Sequence, residues 1–595
     1  MNSGLSPSDP TLVAAFRSAL LHQGAIALLM LVFLWLLWAT ARTWRPAVSA
    51  GTSGVTAGEP AEARARWLLR TGFGVLWIFD GILQAQPKMA GGLATQVMEP
   101  IAASSPGWVQ HLVNWGGTAW SYHPIQAGAA SVWIQVGIGT WLIVAVRGPW
   151  SRLAGAASVT WGLIVWVFGE SFGGIFAPGL SWLTGAPGAV LIYVVAGALI
   201  ALPEGAWRTP RPGRLLLAGL GVFFAAMAVL QAWPGRGFWQ GSAGGKPGTL
   251  SGMVTEMAGT PQPHFLSSLL SGFASFATRY GFAVNLVVVI ALAAMGAAFL
   301  SGRPRLVRYT MWSGIVFCLA DWVLVQDFGF LGGLGTDPNS MIPLIVLFSA
   351  GYLALTPAAQ EAETPARATE AKRPRARSVA AAGALAVILL GAAPMAAAAV
   401  NRTADPILAL AISGDSTSLN LPAPAFSLTD QNGRTVSLAS LRGKVVLMTF
   451  LDPVCTSDCP IIAQEFKQTG QMLGAQAKNV ELVAVVANPT YRSTAFTRAF
   501  DRQEGLTAVP DWLYLTGSLS QLGAVWRHYG VAVENLPAGA MAAHNDLAVV
   551  IDPAGRIRQE LSSDPGPATS STRSSFSVLL GQYARQALRQ TPGQS

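Results

Sequence analysis

With 595 residues, 52% of them hydrophobic, only 11% charged and 21 tryptophans, the chain is too apolar for an ordinary soluble globule and reads as mainly a membrane protein. Its formal net charge of +9 is concentrated in arginines of short loops between apolar segments, which the positive-inside rule accounts for, so no nucleic-acid partner is expected. Of three cysteines, Cys318 lies alone in an apolar segment, which leaves the close pair Cys455 and Cys459 as the redox or metal candidate.

In chain order, residues 20–41 (LLHQGAIALLMLVFLWLLWATA) form a run long enough to span a bilayer. No basic stretch precedes it and no small-residue cleavage site follows, so it reads as a spanning helix. Arg42, Arg45, Arg64 and Arg66 place the next loop in the cytoplasm and the N-terminus outside. Residues 1–65 are thus a membrane helix and a cytoplasmic loop. Further apolar segments at about 66–86, 125–146, 153–169, 187–203, 213–233, 280–300, 307–326, 341–356 and 378–400 bring the expectation to ten spans. Basic residues mark every second loop: Arg147 and Arg152, then Arg208, Arg211 and Arg214, then Arg303, Arg305 and Arg308, then Lys372, Arg373, Arg375 and Arg377. That parity predicts a multi-pass protein of the plasma membrane with everything after residue 400 extracytoplasmic, where disulfides form.

The membrane half repeats itself. Leu83-Gln84-Ala85-Gln86-Pro87 recurs as Leu230-Gln231-Ala232-Trp233-Pro234, and Trp166 to Gly173 (WVFGESFG) recurs as Trp322 to Gly329 (WVLVQDFG). Residues 66–203 and 213–356 therefore read as two four-helix units pointing the same way across the membrane, each with a long outer loop after its first helix. Asp80 and Asp321 fall within spans, and Glu170 and Asp327 at outer ends; each is open to a proton or quinone role and to a plain structural one. Met89, Met98, His111, His123, Met253, Met257 and His264 lie in the outer loops without matching positions in the two copies, and read as scattered loop residues. With its opening FGVLWIFDGILQAQPKM, the four-helix unit resembles the DoxX-like modules that accompany quinone-linked sulfur and thiol redox systems. The resemblance implies a quinone in the membrane half.

Residues 357–377 form a basic cytoplasmic linker ending in KRPRAR, and 378–400 is a last membrane helix or an internal signal-like segment. From about 420 to 590 the chain alternates strands and helices with ordinary polarity: a strand pair near Phe426–Leu428 and Val436–Leu438 hinged at Asn432-Gly433, strand 445–451, a helix to about 474, strand 481–487, a helix near 493–503, Trp512–Leu515, a helix 518–528, and strand 547–551. This order predicts an extracytoplasmic α/β domain of thioredoxin-like fold. The fold class of the whole is then a multi-pass α-helical membrane domain, with about ten spans and two parallel four-helix repeats, plus this C-terminal α/β thioredoxin-like domain.

Within that domain VVLMTFLDPVCTSDCP brings an apolar strand to Cys455 and Cys459, spaced i and i+4, where Pro460 could open a helix whose positive end favours thiolates. Over roughly 422–562 the chain resembles the Sco/SenC copper chaperones of respiratory oxidase assembly. The likeness rests on PAPAFSLTDQNGRTVSLASLRGKVVLMTF, on VCTSDCP in place of the family's C-x3-C-P, on HYGVAVE, and on His544 ahead of LAVVIDPAGRI. It implies that Cys455, Cys459 and His544 are copper ligands. Asn488-Pro489 departs from the family's common Asp-Pro. Two thiolates and an imidazole suit Cu(I) and tolerate Cu(II). The plain alternatives are a structural disulfide for the cysteines and an ordinary hydrogen-bonded histidine for His544; His528, beside Arg527 on a helix, reads as surface. Two functions stay open: a chaperone passing copper to an extracytoplasmic acceptor such as cytochrome c oxidase, and a thiol-disulfide oxidoreductase in which Cys455 attacks a disulfide of an acceptor protein and Cys459 resolves it, supplied with electrons by the membrane half. A transporter with the tail as its metal-loading domain is a third.

Overall fold

Apolar runs with few charges favour helix wherever they exceed a few turns, and helices stand at all ten expected positions: α1 (Pro10–Thr43), α2 (Arg64–Gln84), α3 (Pro124–Val144), α4 (Gly148–Phe168), α5 (Ala189–Ile200), α6 (Arg211–Ala232), α7 (His264–Ser301), α8 (Pro304–Leu324), α9 (Met341–Leu355) and α10 (Pro374–Val400). The computed structural model describes residues 10–43, 62–102, 104–177, 180–243, 246–260, 262–331, 334–355, 374–400, 416–456, 458–535, 542–562 and 575–589. The linker expected at 357–377 lies, but for its last four residues, outside them. Among the described residues six helices are long and apolar enough to cross a membrane: Leu12–Phe33 within α1, α3, α4, α6, α7, and Ala380–Ala397 within α10. By contrast, α5 and α9 have 12 and 15 residues, about 18 and 22 Å, against a hydrocarbon core of about 30 Å. Two compact units result, one of residues 20–86 and 129–393, the other of residues 1–19, 87–128 and 394–595.

In the first unit the two WxxxxxFG stretches build the same corner. Trp166 Nε1 donates to the Pro187 carbonyl and Trp322 Nε1 to the Pro338 carbonyl, both at 2.8 Å. Each tryptophan meets the phenylalanine six residues on edge-to-face, Trp166 with Phe172 at 5.2 Å and Trp322 with Phe328 at 4.7 Å. The backbone turns left-handed at matching positions: φ is 48° at Ser171 and 47° at Asp327, 60° at Phe172 and 61° at Phe328, 61° at Gly173 and 77° at Gly329. The last position needs glycine, because a Cβ would stand 1.7 Å from the Pro187 oxygen at 173 and 2.5 Å from the Pro338 carbonyl carbon at 329.

In the second unit the tail folds around a six-stranded mixed sheet. Its strands are β1 (Ser416–Pro422), β4 (Val445–Leu451), β5 (Val480–Val486), β6 (Trp512–Leu515), β9 (Leu547–Ile551) and β10 (Arg556–Ser562); β2 (Ser427–Thr429) pairs with β3 (Thr435–Ser437), and β7 (Val533–Asn535) with β8 (Ala542–His544), as separate hairpins. The spatial order is β1-β10-β9-β4-β5-β6, with β4, β5 and β6 parallel and the others antiparallel. Every residue of β4, β5 and β9 is buried, which is why those strands are apolar but for Thr449 in β4 and Glu481 in β5. Helices α11 (Asp458–Leu473), α12 (Thr494–Gln503), α13 (Leu519–His528) and α14 (Phe576–Arg589) complete the domain. The Asn432-Gly433 hinge is a turn as expected: Gly433 takes φ 86°, and Asp430 Oδ1 accepts from the amides of Asn432 and Arg434. Gln431 reaches from this turn to the edge strand β6, donating to the Trp512 carbonyl at 3.1 Å and accepting from the Tyr514 amide at 2.9 Å.

A candidate metal and thiol centre

Strand β4 ends at Leu451, and the turn that follows carries the sulfurs. Asp452 begins it: its amide donates to Cys459 Sγ at 3.2 Å, its carbonyl accepts from the Cys455 amide at 3.1 Å, and its Oδ1 accepts from the Val454 amide at 3.0 Å. Helix α11 opens at Asp458, two residues before Pro460, so Cys459 sits in its first turn and Cys455 on the loop before it. No disulfide joins the two sulfurs; Cys459 is buried and Cys455 half-buried. The thiolate expected from the helix end is not favoured at Cys459. Burial pushes its thiol well above the ordinary range, and the adjoining Cys455 adds to this, because desolvating an anion outweighs the partial charge of a helix terminus.

His544, the last residue of β8, is delivered by the β7–β8 hairpin, in which it pairs with Val533. It is 5% exposed, and its Nε2 lies 3.4 Å from Cys459 Sγ. Its Nδ1 faces the Asn545 carbonyl at 3.4 Å and Asp546 Oδ1 at 3.5 Å, an arrangement that turns the Nε2 lone pair towards the sulfur. Burial lowers the His544 pKa, keeping the imidazole neutral and able to ligate, with Asp452 the largest opposing influence.

The Asp452 carboxylate also ties the two halves of the site together. Oδ2 accepts from the Ala542 amide of the histidine hairpin at 2.7 Å and from Asn488 Nδ2 at 3.0 Å. Asn488 thereby explains its departure from the family pattern: an aspartate there would set a second carboxylate against Asp452, whereas the amide supplies a donor. Even so, burial raises the Asp452 pKa to about 6, against the pull of these donors. Sequence reasoning passed over Asp452; the signal was present, since it is the first residue after an all-apolar strand and heads the cysteine turn.

The donor set is compatible with a soft metal. Bonds of about 2.3 Å to sulfur and 2.0 Å to nitrogen would close across the 3.4 Å gap at an angle of about 100°. Among the described residues no three His, Cys, Asp or Glu side chains already form a group that could hold a metal ion. His528 is exposed at the end of α13, as expected. Of the membrane-half carboxylates, Asp80 and Asp321 are 2% and 5% exposed. Glu170 Oε1 accepts from the Val190 amide at 3.1 Å, which is the plain structural reading for that oxygen. Met89 and Met98, read as loop residues, are buried in short helical turns.

A mixed sheet with three parallel strands, and a cysteine turn running from the central strand into a helix, define a thioredoxin-like domain. Residues 415–573 match the family SCO1/SenC, so the C-terminal region of this chain resembles that family. Among curated proteins a SCO1 protein homolog of Bacillus subtilis is 24% identical over 144 residues, which is 24% of this chain and 74% of that protein. Solved structures with likeness include copper-bound ScoI of Bradyrhizobium japonicum (21% identity, 28% of this chain and 99% of that one, TM-score 0.23). Copper-bound yeast Sco1 is a second (16% identity, 29% and 92%, TM-score 0.24). A third is BsSco, described as a member of the Sco family of cytochrome c oxidase assembly proteins with a disulfide switch (19% identity, 30% and 99%, TM-score 0.26).

Proposed function

We propose that this chain is a membrane-anchored copper chaperone, holding the ion as cargo on Cys455, Cys459 and His544 and passing it by ligand exchange to an extracytoplasmic acceptor such as the copper centre of cytochrome c oxidase. The observation that carries this reading is the buried pair of Cys459 Sγ and a neutral His544 Nε2 at 3.4 Å, reached from two separate chain segments that one carboxylate holds together. A structural thiol has no need of such a partner; a soft cation does. The half-buried Cys455 beside a fully buried Cys459 suits transfer, since one ligand can be exchanged while the other retains the ion. The helical half anchors the domain through its apolar helices, and its matching corners at Trp166–Gly173 and Trp322–Gly329 support a parallel internal duplication.

The same pattern of a half-buried and a buried thiol not joined in a disulfide also favours thiol-disulfide exchange, with Cys455 as the attacking and Cys459 as the resolving sulfur. His544→Ala separates the two readings. Under the copper reading Cu(I) affinity, measured by competition with a chromophoric chelator, falls at least 100-fold with both thiols still titratable. Undiminished affinity with intact disulfide exchange would leave the oxidoreductase.

A further inference from the structure

The long outer segment after α2 is not bare loop: it carries a helix at Gly107–Tyr122, and residues 87–128 fall in the same compact unit as the SCO1/SenC domain. Val109, Val113 and Gly117, four residues apart, are all buried and form one stripe of that helix, while Trp108 and Trp115 are 54% and 47% exposed. At Gly117 the stripe meets the cysteine turn: a Cβ there would stand 3.6 Å from Thr456 Cβ and 3.8 Å from Thr456 Cγ2. Thr456 directly follows Cys455 and is 1% exposed, although it lies in a turn. The helix also packs against α11, which bears Cys459. One turn and a half earlier, the His111 ring lies parallel to that of Phe496 in α12, with centroids 6.5 Å apart and planes 8° from parallel. Ile125, just beyond the helix, and Leu12 of α1 join the apolar cluster of the domain itself, alongside Phe450, Cys459 and Ile462.

From these contacts we infer that residues 87–128 are a docking partner which the chain carries for its own SCO1/SenC domain: the Gly107–Tyr122 helix seats on the cysteine turn through Gly117, and an acceptor taking cargo from Cys455 must displace it. The inference rests on the reading of Cys455, Cys459 and His544 as the working site. Glycine at 117 sets how close the helix comes. Alanine fits at ordinary van der Waals distance, whereas a branched side chain would have to enter the space of Thr456 and of Ala94, whose Cβ is 3.8 Å away.

The contact is tested in the full-length chain in detergent. A Cβ separation of 3.6 Å falls within the range that a disulfide bridges. In a chain carrying Cys455→Ser and Cys459→Ser, the pair Gly117→Cys and Thr456→Cys is expected to cross-link nearly completely under mild oxidation, read as a linked peptide by mass spectrometry. Gly107→Cys with Thr456→Cys, where position 107 has nothing within 4 Å, should give none. With the native cysteines, a bulky polyethylene-glycol maleimide should modify Cys455 at least tenfold faster in Gly117→Leu than in wild type, and no faster in Gly117→Ala. Absent cross-linking, or equal rates in all three chains, would overturn the inference and leave copper binding untouched. Conversely, a His544→Ala chain that keeps its copper would end the metal reading while the cross-link still formed.

Discussion

Asp452 gathers three donors, the part-buried amide of Val454, the buried amide of Ala542 and the buried side chain of Asn488, on one carboxylate, and so fixes the cysteine turn relative to the histidine hairpin. Asp452→Ala strands those donors, at a cost of roughly 1–3 kcal/mol for each one left without water. The domain is therefore expected to lose about 2–4 kcal/mol in urea unfolding, and Cu(I) affinity should fall with it, although no ligand has been removed. Glu504 sets a different sensitivity. It is fully buried, Gln464 Nε2 donates to its main-chain carbonyl at 2.8 Å, and its Oε1 has no partner among the described residues. Burial lifts its pKa to about 8 from the ordinary 4.5. The folded domain thus retains a proton that the unfolded chain has released, so this group's contribution is complete below about pH 4.5 and is lost as pH rises towards about 8. Glu504→Gln should flatten the decline of unfolding free energy across that window by up to about 1.4 kcal/mol per pH unit, measured by urea titration of residues 416–589 at pH 5 and pH 8. An unchanged slope would show that Glu504 ionises freely in the fold.

Among elements, the two glycine corners meet the same local backbone demand although the residues around them differ. Gly173 and Gly329 hold positive φ against a proline carbonyl, whereas Gly205 has open space around it and no such backbone demand. Gly173→Ala and Gly329→Ala should each lower the thermal midpoint of the detergent-solubilised chain by several degrees, from about 1–2 kcal/mol of left-handed strain plus the clash; Gly205→Ala should leave it unchanged. The same elements explain what could be read beforehand. Strands β4, β6 and β9 were legible because burial on both faces writes an unbroken apolar run, and α11 to α13 lay within a few residues of expectation. Strand β1 (STSLNLP) was not, since almost every residue on it is exposed and no alternation survives. Strand β10 (RIRQELS) is rich in charge, and α14 follows a Ser/Pro-rich stretch that masks its start. Spacing alone brought Cys455 and Cys459 together; His544 needed the family resemblance, because a residue 85 positions away reaches Cys459 only through the β7–β8 hairpin.

For the molecule as a whole, ten apolar stretches all became helices, yet helix and span are different quantities. Six meet the length and apolarity of a crossing, while α5 and α9 are cut short by turns at Gly188 and Asn339, where the chain takes positive φ. What sequence periodicity did not carry was the outer segment 87–128, because buried Val109 and Val113 sit among tryptophans that are exposed, and the stripe is only three residues long. The sheet of the second unit has a further consequence at its two edges. A terminal strand offers unpaired amides and carbonyls to any passing chain. On the β6 side, the side-chain amide of Gln431 takes the Trp512 carbonyl and the Tyr514 amide as one residue of a neighbouring strand would, and Thr429 exchanges backbone hydrogen bonds with Thr516 at 2.7 Å, so recruitment is blocked there by the Thr429–Gln431 stretch. On the β1 side, Pro422 ends the strand, its register with β10 slips between Ile557 and Gln559, and Arg556 and Arg558 both hold Asn420. Sheet growth is thereby terminated at six strands in both directions, and a chain trimmed past Pro422 would expose β10, with Ile557 and Leu561 now uncovered, as a template for self-association.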